Sequence, residues 1–231
     1  MKLTVLVVVY NEVKTIIQAI EDAKSLDIEK EIIVIDNCST DGTRELLGSI
    51  KDSSVHIVFQ DKNYGFGKSI ATGIALAKGE YIYVQFSDLE YDYRKCKDML
   101  ILAEKNNYDA VFGSRIKHLL ETRSRLSLIR ERPGYLASLI STYLINKWYG
   151  YHFTDVIGAK FYKTSSVKKI PIDTYGMGFD FEFVSKMCKN RFRIGEISVG
   201  YKPRANSKEK KIKPYHMLNA LWAMLKVRFC S

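Results

Sequence analysis

Acidic residues are in short supply: 26 Asp+Glu stand against 36 Lys+Arg, a formal charge of +10 over 231 residues. Such an excess favours an anionic counterpart, whether a nucleic acid, a phosphorylated substrate or an acidic membrane surface. Cysteine is sparse too. Cys38, Cys96, Cys188 and Cys230 are far apart, with no C-x-x-C pair and no Cys/His grouping at zinc spacing. That excludes a disulfide framework and a structural zinc, and fits a reducing cytoplasmic setting. Long apolar runs are missing: Leu3 to Val9 is too short to span a bilayer, and no small-residue cleavage site follows it, so neither a membrane anchor nor a signal peptide is expected there. No internal repeat, low-complexity tract or nucleic-acid motif accompanies the charge, so nucleic acid is not an expected partner.

What is present is a sequence able to bury a large core, 46% hydrophobic and 27% charged. LTVLVVV (3–9), EIIVID (31–36), VHIVFQ (55–60), YIYVQF (81–86) and DAVFGS (109–114) read as strands without polar alternation. Val13 to Ala23, residues 43–50 and 67–77, and Arg94 to Glu104 read as the helices between them. Buried strands separated by helices predict an α/β, mostly parallel, doubly wound sheet covered on both faces. Past Ser114 the pattern predicts a basic loop, a helix over 135–147, a strand at 159–163, a helix over 179–189, a strand at 192–199 and an amphipathic stretch from His216 to Phe229. The expected organisation is one domain, with a nucleotide-binding half over 1–115 and an acceptor half over 116–231.

Ligands of such sheets bind outside the carboxyl ends of the strands. Polar loops fall at four of these ends: Tyr10, Asn11 and Glu12; Asp36 to Gly42; Asn63 to Gly67; and Asp88 to Glu90. Within the second, STDGT also has the composition of a simple helix start, with Ser39 or Asp41 as cap. Asp36, at the strand tip, is placed to accept hydrogen bonds from a base or ribose. NYGFGKS is neither a phosphate loop nor a dinucleotide fingerprint, because Lys62 and Ile70 stand where those motifs require glycine. Its glycines, Gly65 and Gly67, are expected to permit close backbone approach, with Lys68 beside them. In QFSDLEYDY (85–93) extended chain would point Asp88 and Glu90 the same way, giving two oxygen ligands for Mg²⁺ or Mn²⁺, with Asp92 starting the next helix.

Taken together, VVVYNE, IIVIDNCSTDGT, NYGFGKSIATGIALAKGEYI, SDLEYD, DAVFGSR, GAKFY, FDFE and FRIGEISVGYKPR resemble, in order, the blocks of glycosyltransferase family 2. The nearest branch is that of dolichol-phosphate mannosyltransferases and polyprenyl-phosphate glycosyltransferases. The resemblance implies a GT-A fold and inverting transfer of a hexose from a UDP- or GDP-sugar to a lipid-phosphate or glycan acceptor. It implies that Val9, Tyr10, Glu12, Asp36, Gly65, Gly67, Lys68, Ser87 and Asp88 bind the donor, and that Asp88 and Glu90 bind the cation. It also implies that Arg115 lies near a phosphate, and that Asp180 and Glu182 lie beside the acceptor, Asp180 as general base for a hydroxyl. No role carries over to Thr154 or Asp155, because the family's aspartate falls one position away from Asp155.

The family pattern is D-A-D-L where this chain has Phe86-Ser87-Asp88-Leu89, so a phenylalanine replaces the first acid. The departure implies weaker donor or cation contacts, and it keeps a weakly active donor-binding partner subunit as an alternative, beside a nucleotidyltransferase. The basic stretch from Arg115 to Arg132 is expected to contact phosphates. The final helix, with Met217, Leu221, Met224 and Leu225 on one face and Ala220 beside them, is expected to give peripheral contact with the cytoplasmic face of a membrane.

Overall fold

The computed structural model describes residues 1–131, 135–176, 178–203 and 216–230. In chain order the elements are β1 Leu3–Val9, α1 Ile16–Ser25, β2 Lys30–Asp36, α2 Thr43–Ser49, β3 Val55–Phe59, α3 Phe66–Leu76, β4 Tyr81–Phe86, α4 Lys95–Asn106 and β5 Ala110–Ser114. They continue with α5 Leu119–Thr122, α6 Arg125–Glu131, α7 Tyr135–Tyr149, β6 Ala159–Lys163, α8 Thr164–Val167, α9 Phe179–Lys189, β7 Ile194–Ser198 and α10 His216–Phe229.

The seven strands form one sheet in the order β3-β2-β1-β4-β6-β5-β7. All neighbours pair in parallel except β6, which runs antiparallel between β4 and β5. The reversal brings the start of β6, Ala159 and Lys160, to the edge where the parallel strands end, opposite Gly113 and Val84.

Because side chains alternate across a strand, each central strand feeds two cores. Leu6, Val8, Ile33, Ile35, Ile82, Val84, Phe112 and Tyr162 meet α3, α7, α9 and α10 on one face. Leu3, Val5, Val7, Ile32, Val34, Tyr81, Tyr83 and Phe161 meet α1, α2 and α4 on the other. With both faces covered there is no polar phase, which is why β1 can be seven buried residues in a row.

Two expectations change. Residues 116–131 are not simply a basic loop: Ile116, Leu119, Leu120 and Leu128 close with Tyr135 over a small apolar cluster of their own, carried by α5 and α6. In α10 the buried face is Ala220, Ala223, Met224 and Val227, while Leu225 is exposed. Small residues prevail there because α10 lies close against α9, where a Cβ on Gly178 would already touch Ala223 and the Asn219 carbonyl. Arg132, Arg204, Lys208, Lys210, Lys211, Lys213 and the side chain of Met217 fall outside what is described.

Candidate active site at the carboxyl edge of the sheet

Three residues other than glycine adopt left-handed backbone immediately after β1, β2 and β4: Asn11 (φ 56°), Cys38 (φ 61°) and Leu89 (φ 59°). Such conformations cost free energy and persist only where surrounding bonds impose them. Here the bonds run between loops. Asn11 N–H donates to Ser39 Oγ at 3.0 Å, and Thr40 N–H to Asn11 Oδ1 at 2.8 Å. Glu12 N–H donates to Thr43 Oγ1 at 2.9 Å and Val13 N–H to Asp41 Oδ2 at 3.1 Å. Burial works to raise the Asp41 carboxyl pKa, but bonds from Thr43 and from the backbone of Val13 and Thr43 outweigh it and lower it. Ser39 therefore ties two loops together and does not cap α2.

The residues expected to bind the donor separate into those at the surface and those behind it. Tyr10 and Glu12 are half-buried at the edge, whereas the Val9 side chain lies in the core and only its carbonyl, which accepts Asn37 N–H at 2.9 Å, reaches the loops. Asp36 is wholly buried. Its carboxylate takes Arg44 at 3.0 Å and Ser39 N–H at 3.2 Å. Arg44 also donates to the Gln60 carbonyl at 2.8 Å. The geometry thus sets Asp36 to shape the β2 loop. Asn37, beside it, spans to Asn63 at 2.9 Å and accepts Tyr64 N–H at 3.0 Å.

Gly65 and Gly67 do permit close approach, but to the chain's own backbone. A Cβ on Gly65 (φ 90°) would collide with the Tyr175 carbonyl, and one on Gly67 with the Thr174 carbonyl and the Phe179 ring. Gly67 N–H donates to Tyr175 O at 2.8 Å, and the Lys68 ammonium sits 5.2 Å from the Tyr175 ring centroid. These three residues seat the loop before α9.

At the end of β4, Ser87 turns inward and its hydroxyl donates to the Val8 carbonyl at 3.0 Å, so that side chain belongs to the scaffold. Asp88 and Glu90 are half-buried, and Glu90 N–H donates to Asp88 Oδ1 at 3.1 Å across left-handed Leu89. A tight turn, not extended chain, holds the two acids together. Asp92 accepts Arg94 N–H at 3.1 Å just before α4, as expected of a helix start. Among the described residues no third His, Cys, Asp or Glu completes a metal cluster. Two carboxylates brought onto one turn supply the hard oxygen donors that Mg²⁺ or Mn²⁺ shared with a diphosphate takes, so the residue types fit that group.

Phe86 is the centre of an aromatic row. Its ring stacks on Phe66 (5.9 Å between centroids, 10°) and on Tyr91 (5.1 Å, 28°). Phe66 meets Phe179 edge-on at 5.9 Å, and Tyr91 meets Tyr201 at 5.1 Å. The row runs from Phe179, the residue before Asp180, through Tyr91, the residue after Glu90, to Tyr201.

Charges are buried on the other side. Arg115, 13% exposed, grips fully buried Asp155 through Nε at 2.7 Å and an Nη at 3.0 Å, and Ser138 donates to the same carboxylate at 2.6 Å. Burial alone would raise the Asp155 carboxyl pKa; the Arg115 guanidinium overrides it and holds it well below the usual range. Arg115, expected near a phosphate, is here engaged in an ion pair with Asp155. Asp180, in the first turn of α9, has its carboxyl pKa raised by burial, against the pull of Lys160 and Arg115. Buried Lys160 donates to the Gly158 carbonyl at 2.7 Å. Glu182 points elsewhere: it accepts Thr174 N–H at 2.7 Å and Asp173 N–H at 3.2 Å and pairs with Lys186, holding the loop on which Gly65 and Gly67 rest.

The model of the family described as glycosyl transferase family 2 matches residues 4–170, which include every loop of this edge up to Asp155. The chain belongs to that family. Relatives in it include the Haloferax volcanii glycosyltransferase AglJ, 26% identical over 89% of this chain and 64% of its own length. The Dictyostelium discoideum dolichyl-phosphate beta-glucosyltransferase is 26% identical over 86% and 66%. The Rhizobium johnstonii dodecaprenyl-phosphate galacturonate synthase is 24% identical over 91% and 62%. The chain thus spans about two thirds of these proteins, and only 25% of the succinoglycan biosynthesis protein ExoO from Rhizobium meliloti. Among solved structures, the UDP complex of glucosyl-3-phosphoglycerate synthase from Mycobacterium tuberculosis superposes with a TM-score of 0.70 at 16% identity, over 98% of this chain and 79% of that one. Residues 1–349 of S. aureus TarS with UDP-GlcNAc give 0.68 at 19%, over 98% and 66%. The fold is GT-A, and its sheet is mixed through β6.

Within this family-2 frame, sequence reasoning missed Asp155, Lys160, Tyr91 and Tyr201. Asp155 lies one position from where the family pattern would draw attention to it. Lys160, inside AKFYK, reads as an ordinary strand charge. A lysine at a position whose neighbours Ala159 and Phe161 are apolar and buried was the available signal, since lysine is rarely buried without a partner.

Proposed function

We propose that the chain is a divalent-cation-dependent inverting glycosyltransferase that moves a hexose from a nucleotide-diphosphate sugar to a polyprenyl-phosphate or glycan acceptor. The observation that carries this is the pair Asp88 and Glu90 at the end of β4, joined by one aromatic row to the helix that presents Asp180, within a family-2 fold. A UDP donor is supported by neighbours of the same fold crystallised with UDP and UDP-GlcNAc, and the cation by one holding Mn²⁺ with UDP-glucose. The acceptor class is supported by relatives named for dolichyl, undecaprenyl and dodecaprenyl phosphate.

Asp88 and Glu90 hold the cation, whose chemistry is to neutralise the diphosphate as it departs. Tyr10 and Glu12 line the donor side, and Asp36 with Arg44 fixes the loop beneath. Asp180 accepts the proton of a hydroxyl acceptor; its raised pKa makes it a stronger base than a solvated carboxylate. A phosphate acceptor is already an anion, and with it Asp180 orients the acceptor.

The outer face of α10 carries exposed Trp222, Leu225 and Phe229, with the Lys226 ammonium 5.6 Å from the Trp222 ring. Apolar and aromatic side chains beside cations suit an anionic membrane surface. No helix among the described residues is long and apolar enough to cross a membrane. The proposed contact is peripheral, on the cytoplasmic face of the membrane, and is made by this outer face of α10.

The test is incubation with labelled UDP- and GDP-sugars, Mn²⁺ and a short polyprenyl phosphate. Release of nucleoside diphosphate with a lipid-linked product is expected. Pyrophosphate release from a sugar phosphate and a nucleoside triphosphate would instead make the chain a nucleotidyltransferase.

A further inference from the structure

Beyond β7 the chain turns back along the loop that carries Asp88 and Glu90. Tyr91 and Tyr201 form an antiparallel bridge, Lys202 N–H donates to the Glu90 carbonyl at 2.8 Å, and Asp92 N–H donates to the Gly200 carbonyl at 3.3 Å. Residues 200–202 are thus a strap laid edge-on against residues 90–92. Tyr201 is its centre: one neighbour is the Tyr91 ring at 5.1 Å, another the Arg115 guanidinium at 5.5 Å from the ring centroid. The Tyr201 hydroxyl hydrogen-bonds the Glu90 carboxylate.

We infer that Tyr201 is a positioning residue: through its hydroxyl it aims the Glu90 carboxylate at the divalent cation, and through its ring it ties that ligand to the Arg115–Asp155 pair. The inference rests on the reading of Asp88 and Glu90 as cation ligands. The physical need is clear from the loop. A glutamate side chain has three rotatable bonds, and fixing it takes a second contact beyond the backbone turn that Asp88 and Leu89 supply. Outer partners of metal-ligating carboxylates typically set metal affinity by about 10–100-fold. A phenol is well suited, since it donates one hydrogen bond to the carboxylate and leaves the other oxygen lone pairs for the cation. The ring itself is locked between Tyr91 and Arg115, so the hydroxyl is delivered from a fixed platform.

The experiment is an electron-paramagnetic-resonance titration of free Mn²⁺ with the full chain in the presence of UDP, comparing wild type, Tyr201→Phe, Glu90→Gln and the double variant. Tyr201→Phe keeps the ring, its stacking and the backbone bridge, and its thermal midpoint checks the fold. The expected result is an apparent Mn²⁺ dissociation constant raised about tenfold by Tyr201→Phe. In the Glu90→Gln background the same change should have little further effect, because the hydroxyl acts through that carboxylate. Unchanged or tighter Mn²⁺ binding by Tyr201→Phe overturns the positioning role and leaves the cation site standing. A Tyr201→Phe effect that persists in full in Glu90→Gln also overturns it. Absence of UDP-dependent Mn²⁺ binding by the wild type overturns the cation site and the positioning role together.

Discussion

The loops after β1, β2 and β3 and the segments after β5 reach the same edge of the sheet, yet they are held there by different chemistry. On the proposed donor side the ties are mostly uncharged: Asn11 with Ser39 and Thr40, Glu12 N–H with Thr43, and Asn37 with Asn63, with Asp36–Arg44 and the bonds to the Asp41 carboxylate as the charged exceptions. On the acceptor side they are buried charges: Arg115 with Asp155, Lys160 near Asp180, and Glu182 with Lys186. A neutral hydrogen bond contributes about 0.5–1.5 kcal/mol, whereas removing one member of a buried pair costs about 3–5 kcal/mol because the other charge is stranded. The donor side is thus a set of separable small ties, and the acceptor side a few ties that fail all at once.

The sharpest way to break that contrast is Asp155→Ala, which leaves the Arg115 guanidinium buried without its carboxylate. It is expected to cost about 3–5 kcal/mol in urea unfolding, against about 1–2 kcal/mol for Asn37→Ala. Equal costs would end the distinction. The Asp155 carboxyl is depressed in the fold, so its contribution is present above the unfolded aspartate pKa, near 4, and is lost as pH falls through the lower folded value. Asp155→Asn should therefore flatten the acid limb of a stability–pH profile.

Asp88→Ala comes next. It should reduce cation-dependent transfer by more than about a hundredfold, the scale of losing one electrostatic contact to a developing charge, while the thermal midpoint of the protein without nucleotide or cation stays near wild type. Turnover like that of wild type in this variant removes the cation assignment.

Phe86→Asp tests the apolar row between the two sides. A carboxylate set between Phe66 and Tyr91 should cost about 1–3 kcal/mol in the absence of cation, read as a lowered unfolding midpoint. A large gain in turnover would instead favour the alternative of a donor-binding subunit with weak activity. At the acceptor end, transfer to a hydroxyl should rise with pH through a limb above the ordinary carboxylate range, because Asp180 must be deprotonated and its pKa is raised. Lys160→Met removes a neighbouring cation and should move that limb higher still. A limb that stays put separates Asp180 from the chemistry. Smallest in its effect on the fold is Trp222→Ser with Phe229→Ser: stability within about 0.5 kcal/mol of wild type, with clear loss of sedimentation with anionic vesicles. Undiminished vesicle binding would move the membrane contact off α10.

Much of this architecture is local enough to be written in the chain itself. Buried parallel strands need continuous apolar runs and their helices need a 3.6-residue period, so the order of elements, the two-sided sheet and the edge where polar loops gather all follow from residue spacing. The same logic exposed Asp88 and Glu90, because paired acids just after a buried strand stand out against its composition, and it exposed Phe86, because a phenylalanine stands among them.

Only the tertiary structure decided what each polar residue is for. Spacing cannot tell that Ser87 turns back to the Val8 carbonyl, that Glu182 serves the loop at 173–174, that Arg115 is taken by Asp155, or that Gly65 makes room for Tyr175. Each of those partners is 8 to 110 residues away or on another strand, and the choice among them is made by burial, which favours whichever partner the packing brings near an enclosed charge or hydroxyl. Phe86 shows both halves of the matter: sequence marks it as a departure, and the fold makes that departure the middle of a continuous aromatic row from Phe179 to Tyr201.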